Sequence, residues 1–298
     1  MRLGYNTNGL AHHQPLQAIE LLAELGYQSI ALTVDHGLLS PNEDWRLQLG
    51  KMQAALQRFD MRCVIETGAR YLLNPRVKHE PTFVSAQAED RAIRRQFYEH
   101  CIILAAELDA DCVSLWSGCV HQTAASSMEA DDEIWSRLTN ELERTLDYAA
   151  ARDVTIGFEP EPGMFIDTMS KFAQLTKRLP HPALRLTLDV GHLHCLGEVP
   201  IADVIRQWGS QIINVHIEDM RTGIHEHLPF GEGEMDFPPI INALSEVGYA
   251  DGLHVELSRH SHAAPQVAAD AMRFLKPLLD AVKHNQAADP ARSRKESL

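Results

Sequence analysis

The sequence predicts a single (β/α)8 barrel, and three observations support this fold class. Short runs rich in β-branched residues alternate with stretches whose apolar residues recur at helical spacing. Eight such alternations fit into 298 residues, which matches the strand count and the size of this fold. No Pro-, Gly- or Ser-rich linker divides the chain, so we expect one barrel domain over residues 1–283 and a polar, disordered tail at 284–298.

The elements follow one another in the order that such a barrel requires. The predicted strands are Leu3–Gly9, Ser29–Asp35, Arg62–Gly68, Cys112–Gly118, Thr155–Glu161, Arg185–Gly191, Ile212–Asp219 and Gly252–Ser258. Helical spacing is clearest in Pro15–Leu25, Leu47–Phe59, Ala92–Leu108, Ile134–Arg152 and Met169–Leu179. A doubly wound open sheet is the alternative, but it should begin with a glycine-rich phosphate loop, and Asn6-Thr7-Asn8-Gly9 is not one. We therefore expect no nucleotide cofactor.

The net charge, the cysteines and the absence of long apolar runs limit which partners and which cellular compartment we expect. The chain has 27 Lys and Arg against 41 Asp and Glu, a net charge of −14, which disfavours nucleic acid as a partner. The five cysteines form no C-x-x-C pair and fit reduced thiols in a cytoplasmic protein. No apolar run approaches the roughly 20 residues that span a bilayer. A small-molecule substrate and no membrane association are expected.

Four polar residues interrupt strands that should be almost wholly apolar. Glu159, Asp189, His216 and Glu256 lie in the predicted strands five to eight, within GFEPEP, LTLDVGH, NVHIED and HVELSRH. Parallel strands are buried on both faces, and their carboxyl ends converge on the mouth of a barrel. Any one of these residues could be a buried, hydrogen-bonded polar group. Four together predict a divalent metal site, with Mn²⁺, Mg²⁺ or Co²⁺ as the expected ion and Zn²⁺ as an alternative.

These four residues carry a resemblance to a known superfamily. The order Glu, Asp-x-x-His, His and Glu on strands five to eight resembles the xylose-isomerase-like barrels, which include ketose 3-epimerases and endonuclease IV-type hydrolases. The resemblance covers nearly the whole chain. It implies a metal-dependent isomerase or epimerase of a sugar, sugar phosphate or polyol-related metabolite, with Glu159 and Glu256 as metal ligands and as the acid–base pair. A homo-oligomer is compatible with this resemblance.

Two further residues resemble substrate-binding residues of the epimerases, one at the expected spacing and one not. His192, three residues after Asp189, corresponds to a histidine that contacts substrate in the epimerases. Arg221, five residues after His216, resembles their substrate-binding arginine, but the spacing is one residue short.

The hydrolase branch of the superfamily remains an alternative. Enzymes of that branch bind several zinc ions. His192, together with His225 and His227 of HEHLPFGEG, resembles part of their ligand set and would build a second metal site. Strands three and four do not end in the histidines that this branch requires. His79 and His121 lie nearby but within loops, so the sequence does not show a complete three-metal set. The histidines of HEHLPFGEG could instead be solvated loop residues. A barrel that binds a metabolite without turnover is the third hypothesis.

Several residues are candidates for substrate contact at the mouth. Glu66 and Trp116 lie at predicted strand ends, and an indole there offers a flat wall to a sugar ring. Arg70, Arg76 and Lys78 lie on a long loop after strand three. They could receive a phosphate or carboxylate of the substrate, or they could simply solvate the loop.

Overall fold

Eight parallel strands close into a barrel, which confirms the predicted fold class. The computed structural model describes residues 1–120 and 131–287, with side chains described as far as 284. The barrel strands are β1 (Arg2–Asn6), β2 (Ser29–Thr33), β3 (Arg62–Glu66), β4 (Val113–Leu115), β5 (Ile156–Phe158), β6 (Leu184–Asp189), β7 (Ile212–Ile217) and β10 (Gly252–Val255). Each pairs with its neighbour in sequence order, and β10 closes the barrel against β1.

Helices cover the outside of this barrel. They are α1 (Pro15–Glu24), α2 (Trp45–Phe59), α3 (Ala88–Leu108), α4 (Asp131–Ala150), α5 (Met169–Arg178), α6 (Val190–Cys195), α7 (Ile201–Trp208), α8 (Phe237–Glu246) and α9 (Ala264–Ala287). The five helices predicted from periodicity agree with α1 to α5 to within four residues at each end. The last helix continues through His284, where the tail was expected to begin, and residues 288–298 lie outside the described part of the chain.

A two-stranded hairpin between β7 and α8 corrects the sequence analysis. Strands β8 (Asp219–Arg221) and β9 (Ile224–Leu228) pair antiparallel, so His225 and His227 lie in a strand and not in a loop. The Asp219 carboxylate accepts backbone N–H groups from Met220, Gly231, Gly233 and Met235. A Cβ atom at Gly233 would overlap that carboxylate, so glycine is required for this close approach. One buried acidic residue therefore holds the hairpin beside the barrel mouth.

The interior of the barrel contains a polar layer below its mouth. His254 is fully buried, and its ring lies 2.8 Å from both Ser29 Oγ and Asn214 Oδ1. Gly4 and Gly252 flank this ring so closely that a side chain at either position would overlap it. Burial of an imidazole is tolerated here because both ring nitrogens have partners.

The apolar core lies between the barrel and its helices and includes fully buried residues of α1, α4 and α5 such as Ile19, Leu142 and Phe172. Among the helices of the described residues, none is both long and apolar enough to cross a membrane.

Candidate metal centre and active site

Glu159, Asp189, His216 and Glu256 meet at the carboxyl ends of four adjacent strands. Asp189 ends β6 and pairs in register with His216 of β7, while Glu159 and Glu256 directly follow β5 and β10. One ligand atom from each residue lies within 4.8 Å of the others. His216 Nδ1 is 3.0 Å from Glu159 Oε1 and 3.0 Å from Glu256 Oε2. The topology brings together the four residues that the sequence analysis singled out.

The two glutamates of this cluster differ in proton affinity. Burial raises the pKa of Glu159 to about 8, even though His216 favours the ionised form. Burial acts in the same direction on Glu256, but His216, His227 and His192 outweigh it and hold its pKa well below the usual value. The protein groups alone therefore leave Glu256 ionised and Glu159 protonated at neutral pH.

His216 is oriented from the far side of the barrel. Its Nε2 atom lies 2.8 Å from Glu66 Oε1, and Asn214 donates to the same carboxylate oxygen at 3.1 Å. Burial opposes protonation of His216, but Glu66, Glu159 and Glu256 outweigh it and raise its pKa well above the usual value. Glu66, expected to line the pocket, thus also fixes the ring so that Nδ1 faces the four-residue cluster.

The donor set fits a divalent cation. Three carboxylates and one imidazole are a mostly oxygen-based set, which suits Mn²⁺, Mg²⁺ or Co²⁺ and is also compatible with Zn²⁺. Among the described residues, Asp189 Oδ2 and His192 Nε2 are buried 3.4 Å apart, and neither atom forms a hydrogen bond. Such atoms are costly to bury unless something compensates them, and a cation does so directly.

A second cluster lies beside the first. One nitrogen from each of His192, His225 and His227 lies within 4.8 Å of the others, and the two Nε2 atoms of the hairpin histidines are 3.3 Å apart. Burial lowers the pKa of His192 to about 4 and also lowers the pKa of His225. A neutral imidazole can act as a ligand without losing a proton, so the lowered pKa of His192 favours metal binding. His79 lines the neighbouring cavity, whereas His121 lies outside the described residues.

Two glutamates at this site were missed by the sequence analysis. Glu218 is fully buried, and neither carboxylate oxygen has a hydrogen-bond partner within the described ranges. Burial, with Asp189 and Glu256 adding to it, raises its pKa well above the usual value. Burial also raises the pKa of Glu161, which lies 3.7 Å from His192. Each follows a cluster residue by two positions, and the two-residue period of extended chain is the signal that could have found them.

A cavity of about 360 Å³ opens above the first cluster. Its lining includes Glu159, His216, Glu256, Glu66, Trp116, Asn8, Arg70, Lys78 and Arg259. Asn8 donates to Glu256 Oε1 at 2.7 Å, which holds that carboxylate from the β1 side. The Trp116 ring packs edge to face against His79, with ring centroids 5.2 Å apart.

Two basic residues from the sequence analysis lie outside this lining. Arg221 ends β8 with an exposed side chain that donates to the Glu232 carbonyl at 3.0 Å. Arg76 is also exposed. The predicted contact between Arg221 and a substrate therefore has no support from its position.

A family model described as xylose isomerase-like TIM barrel matches residues 19–278. The chain belongs to this family. A curated L-ribulose-5-phosphate 3-epimerase of Salmonella heidelberg (strain SL476) is 24% identical over 261 residues, covering 87% of this chain and 86% of the relative.

Solved structures give the same fold. A D-tagatose 3-epimerase-like protein superposes with a TM-score of 0.78 at 20% identity, covering 96% of this chain and 99% of the other. The IOLI protein, whose structure contains a bound zinc atom, superposes with a TM-score of 0.73 at 16% identity, covering 95% and 99%.

Proposed function

We propose that the protein is a divalent-metal-dependent ketose epimerase, with the cation held by Glu159, Asp189, His216 and Glu256. The observation that carries this proposal is the convergence of these four side chains, with one ligand atom of each within 4.8 Å of the others, below an open cavity that three of them line. The curated relatives and several structural neighbours are sugar 3-epimerases, which supports the same chemistry. The substrates named for these proteins include a ketose phosphate and free ketoses.

The two glutamates would move the proton. A divalent cation, when bound, would acidify the C–H bond next to a ketose carbonyl and stabilise the negative charge that develops on the substrate oxygens. Glu256, ionised and held by Asn8, would take that proton. Glu159, on the other side of the cluster, would return a proton to the same carbon.

The positions of these glutamates favour epimerisation over isomerisation. Strands β6 and β7 separate β5 from β10, so the two carboxylates approach the cavity floor from different sides. Return of the proton from the second side inverts the carbon, whereas aldose–ketose isomerisation needs transfer between adjacent carbons. Trp116 would give the sugar ring an apolar wall.

The experiment is epimerisation in D₂O with the metal-loaded protein and a panel of ketoses and ketose phosphates. The expected product carries one deuterium at the inverted carbon, because two separate carboxylates exchange protons with solvent. Inversion without deuterium would contradict the two-base mechanism. Ligand-linked stabilisation without turnover of any sugar would support the binding-protein hypothesis instead.

The multi-metal hydrolase is a second candidate, and the cluster of His192, His225 and His227 favours it. Elemental analysis of the purified protein and of a His225→Ala/His227→Ala variant distinguishes the two functions. About one Mn²⁺, Co²⁺ or Mg²⁺ per chain, unchanged in the variant, supports the epimerase. Two or more Zn²⁺ per chain, with loss in the variant, supports hydrolysis of a phosphorylated or acylated metabolite.

A further inference from the structure

Three cationic side chains line the cavity of an otherwise acidic protein. Arg70 and Lys78 come from the loop after β3, and Arg259 follows Glu256 by three residues. We propose that these residues bind a phosphate monoester on the substrate, so that the protein acts on a ketose phosphate. This inference rests on the proposed epimerase function and names its substrate class.

Two of these cations have no ion-pair partner among the residues that the structure describes. Within residues 1–120 and 131–284, no carboxylate lies within 4.0 Å of the Arg70 guanidinium or the Lys78 ammonium. Arg259 is bound to Glu226 at 3.0 Å and remains 62% exposed. Partial burial lowers the pKa of Lys78, and the positive charges of Arg70 and Arg259 add to that effect, whereas Glu161 opposes it. An anion in the cavity would relieve this mutual repulsion.

The loop that carries Arg70 and Lys78 is held from below by a buried guanidinium. Arg94 of α3 is fully buried and donates to the Pro81 carbonyl at 2.6 Å and to the His79 carbonyl at 2.5 Å. The guanidinium also lies 4.9 Å from the centroid of Trp116. Burial of an arginine is costly, and here it fixes the backbone next to Lys78.

A second set of contacts fixes the start of the loop. The Asp35 carboxylate accepts the backbone N–H of Arg70 at 3.2 Å, and the Arg70 carbonyl accepts the backbone N–H of His79 at 2.6 Å. Arg70 and Lys78 are therefore held near each other before any ligand arrives, which reduces the ordering cost of binding.

The cation types match a phosphate monoester. A guanidinium offers parallel N–H donors to two oxygens, while an ammonium acts as a compact point charge. The dianion would gain charge-assisted hydrogen bonds that the hydroxyl group of a free ketose cannot replace. A terminal carboxylate shares part of this chemistry, so the test includes it.

The kinetic test compares a ketopentose 5-phosphate, the unphosphorylated ketopentose and a ketohexuronate, in wild type, Lys78→Gln and Arg70→Gln. Wild type should favour the phosphate by at least tenfold in kcat/KM. Each variant should lose about 10- to 100-fold in kcat/KM for the phosphate, mainly through KM, because one charge-assisted contact is removed. The loss for the free sugar should be at least tenfold smaller. Arg76→Gln, on the same loop but outside the cavity lining, is the matched control and should stay within about twofold for all three sugars.

Two kinetic outcomes would overturn this inference. Equal losses for the phosphate and the free sugar would mean that the cations act only on loop structure. A wild-type preference for the uronate would mean that the cations bind a carboxylate of the substrate and not a phosphate.

Titration with inorganic phosphate gives a readout that needs no turnover. Wild type should bind phosphate in the cavity, and Lys78→Gln should weaken the Kd at least tenfold. Phosphate binding without epimerisation of any sugar would contradict the proposed function but not the anion site. Epimerisation of free ketoses with no phosphate binding would contradict the anion site alone.

Discussion

The two halves of the barrel mouth are built differently. Around β5, β6, β7 and β10, the functional side chains lie in the strands or one residue beyond them, as with Glu159, Asp189 and His216, which are 5%, 2% and 1% exposed. Around β1 to β4, the cationic candidates lie on a long loop, where Arg70 and Lys78 are only partly buried. The strand half fixes reacting groups in a constant position, and the loop half can vary to suit a substrate without disturbing them.

Charge divides along the same line. The strand half concentrates buried carboxylates and imidazoles, whereas the loop half supplies Arg70 and Lys78. The third cation of the cavity, Arg259, belongs to the strand half but is 62% exposed and paired with Glu226. A bound ketose phosphate would join the two halves, with its reacting carbons over the strands and its phosphate against the loop. Substitutions in the strand half should therefore remove turnover for all substrates, and substitutions in the loop half should change preference among them.

The largest expected effect lies in the strand half. Glu256→Gln and Glu159→Gln should each lower kcat by about 10³-fold, because each removes a proton-transfer group while retaining an oxygen that can bind a cation. Turnover is measured at saturating metal, with metal content determined for each variant. Glu24→Gln, exposed at the end of α1, is the control and should keep wild-type turnover. Retention of more than about a tenth of kcat with metal bound would exclude the acid–base role.

The strand half was predictable from sequence because its signal is local. Charged residues such as Glu159 and Asp189 interrupt runs that are otherwise buried, and equivalent positions in adjacent parallel strands must converge. The hairpin was missed because β9 is mostly half-exposed and carries polar residues on both faces, so it lacks the alternation of a half-buried strand.

Contacts across the barrel could not be predicted in the same way. Glu66 and His216 are 150 positions apart, and only closure of the barrel brings β3 opposite β7. The spacing of Arg221 from His216 suggested a substrate contact, but the hairpin directs that side chain to the Glu232 carbonyl. A local sequence pattern identifies a charged residue in an otherwise apolar strand. A contact between residues far apart in the sequence can be found only once the fold is known.

The second prediction tests whether the two halves are independent. Glu66 belongs to β3, yet it accepts a hydrogen bond from His216 and fixes which ring nitrogen faces the cluster. Glu66→Gln should weaken metal binding by about 10- to 100-fold, as loss of a carboxylate behind a histidine ligand typically does. Metal affinity is measured by competition with a chelator, and Glu107→Gln on the exposed face of α3 is the control. Unchanged affinity would show that the strand half alone determines the site.

The smallest effect concerns the loop half and its dependence on pH. Burial lowers the pKa of His79 to about 4, and the positive charges of Lys78, Arg94 and Arg70 support this effect. In the unfolded chain a histidine has a pKa of about 6.5, so between about pH 6.5 and about pH 4 this side chain is protonated mainly in the unfolded state. The free energy of unfolding therefore keeps the whole contribution of His79 above about pH 6.5 and loses it as the pH falls toward about 4.

His79→Gln should therefore lose less stability than wild type on acidification. Between pH 8 and pH 5 the loss in the free energy of unfolding should be smaller by about 1–2 kcal/mol, measured by urea denaturation at both pH values. His12→Gln, at an exposed position, is the control for the loss of any histidine and should retain the wild-type pH dependence. An identical pH dependence in His79→Gln would mean that His79 keeps a pKa of about 6.5 in the folded protein and becomes protonated as the pH falls below that value. The loop would then carry one more positive charge than the structure indicates, and phosphate binding should strengthen as the pH falls.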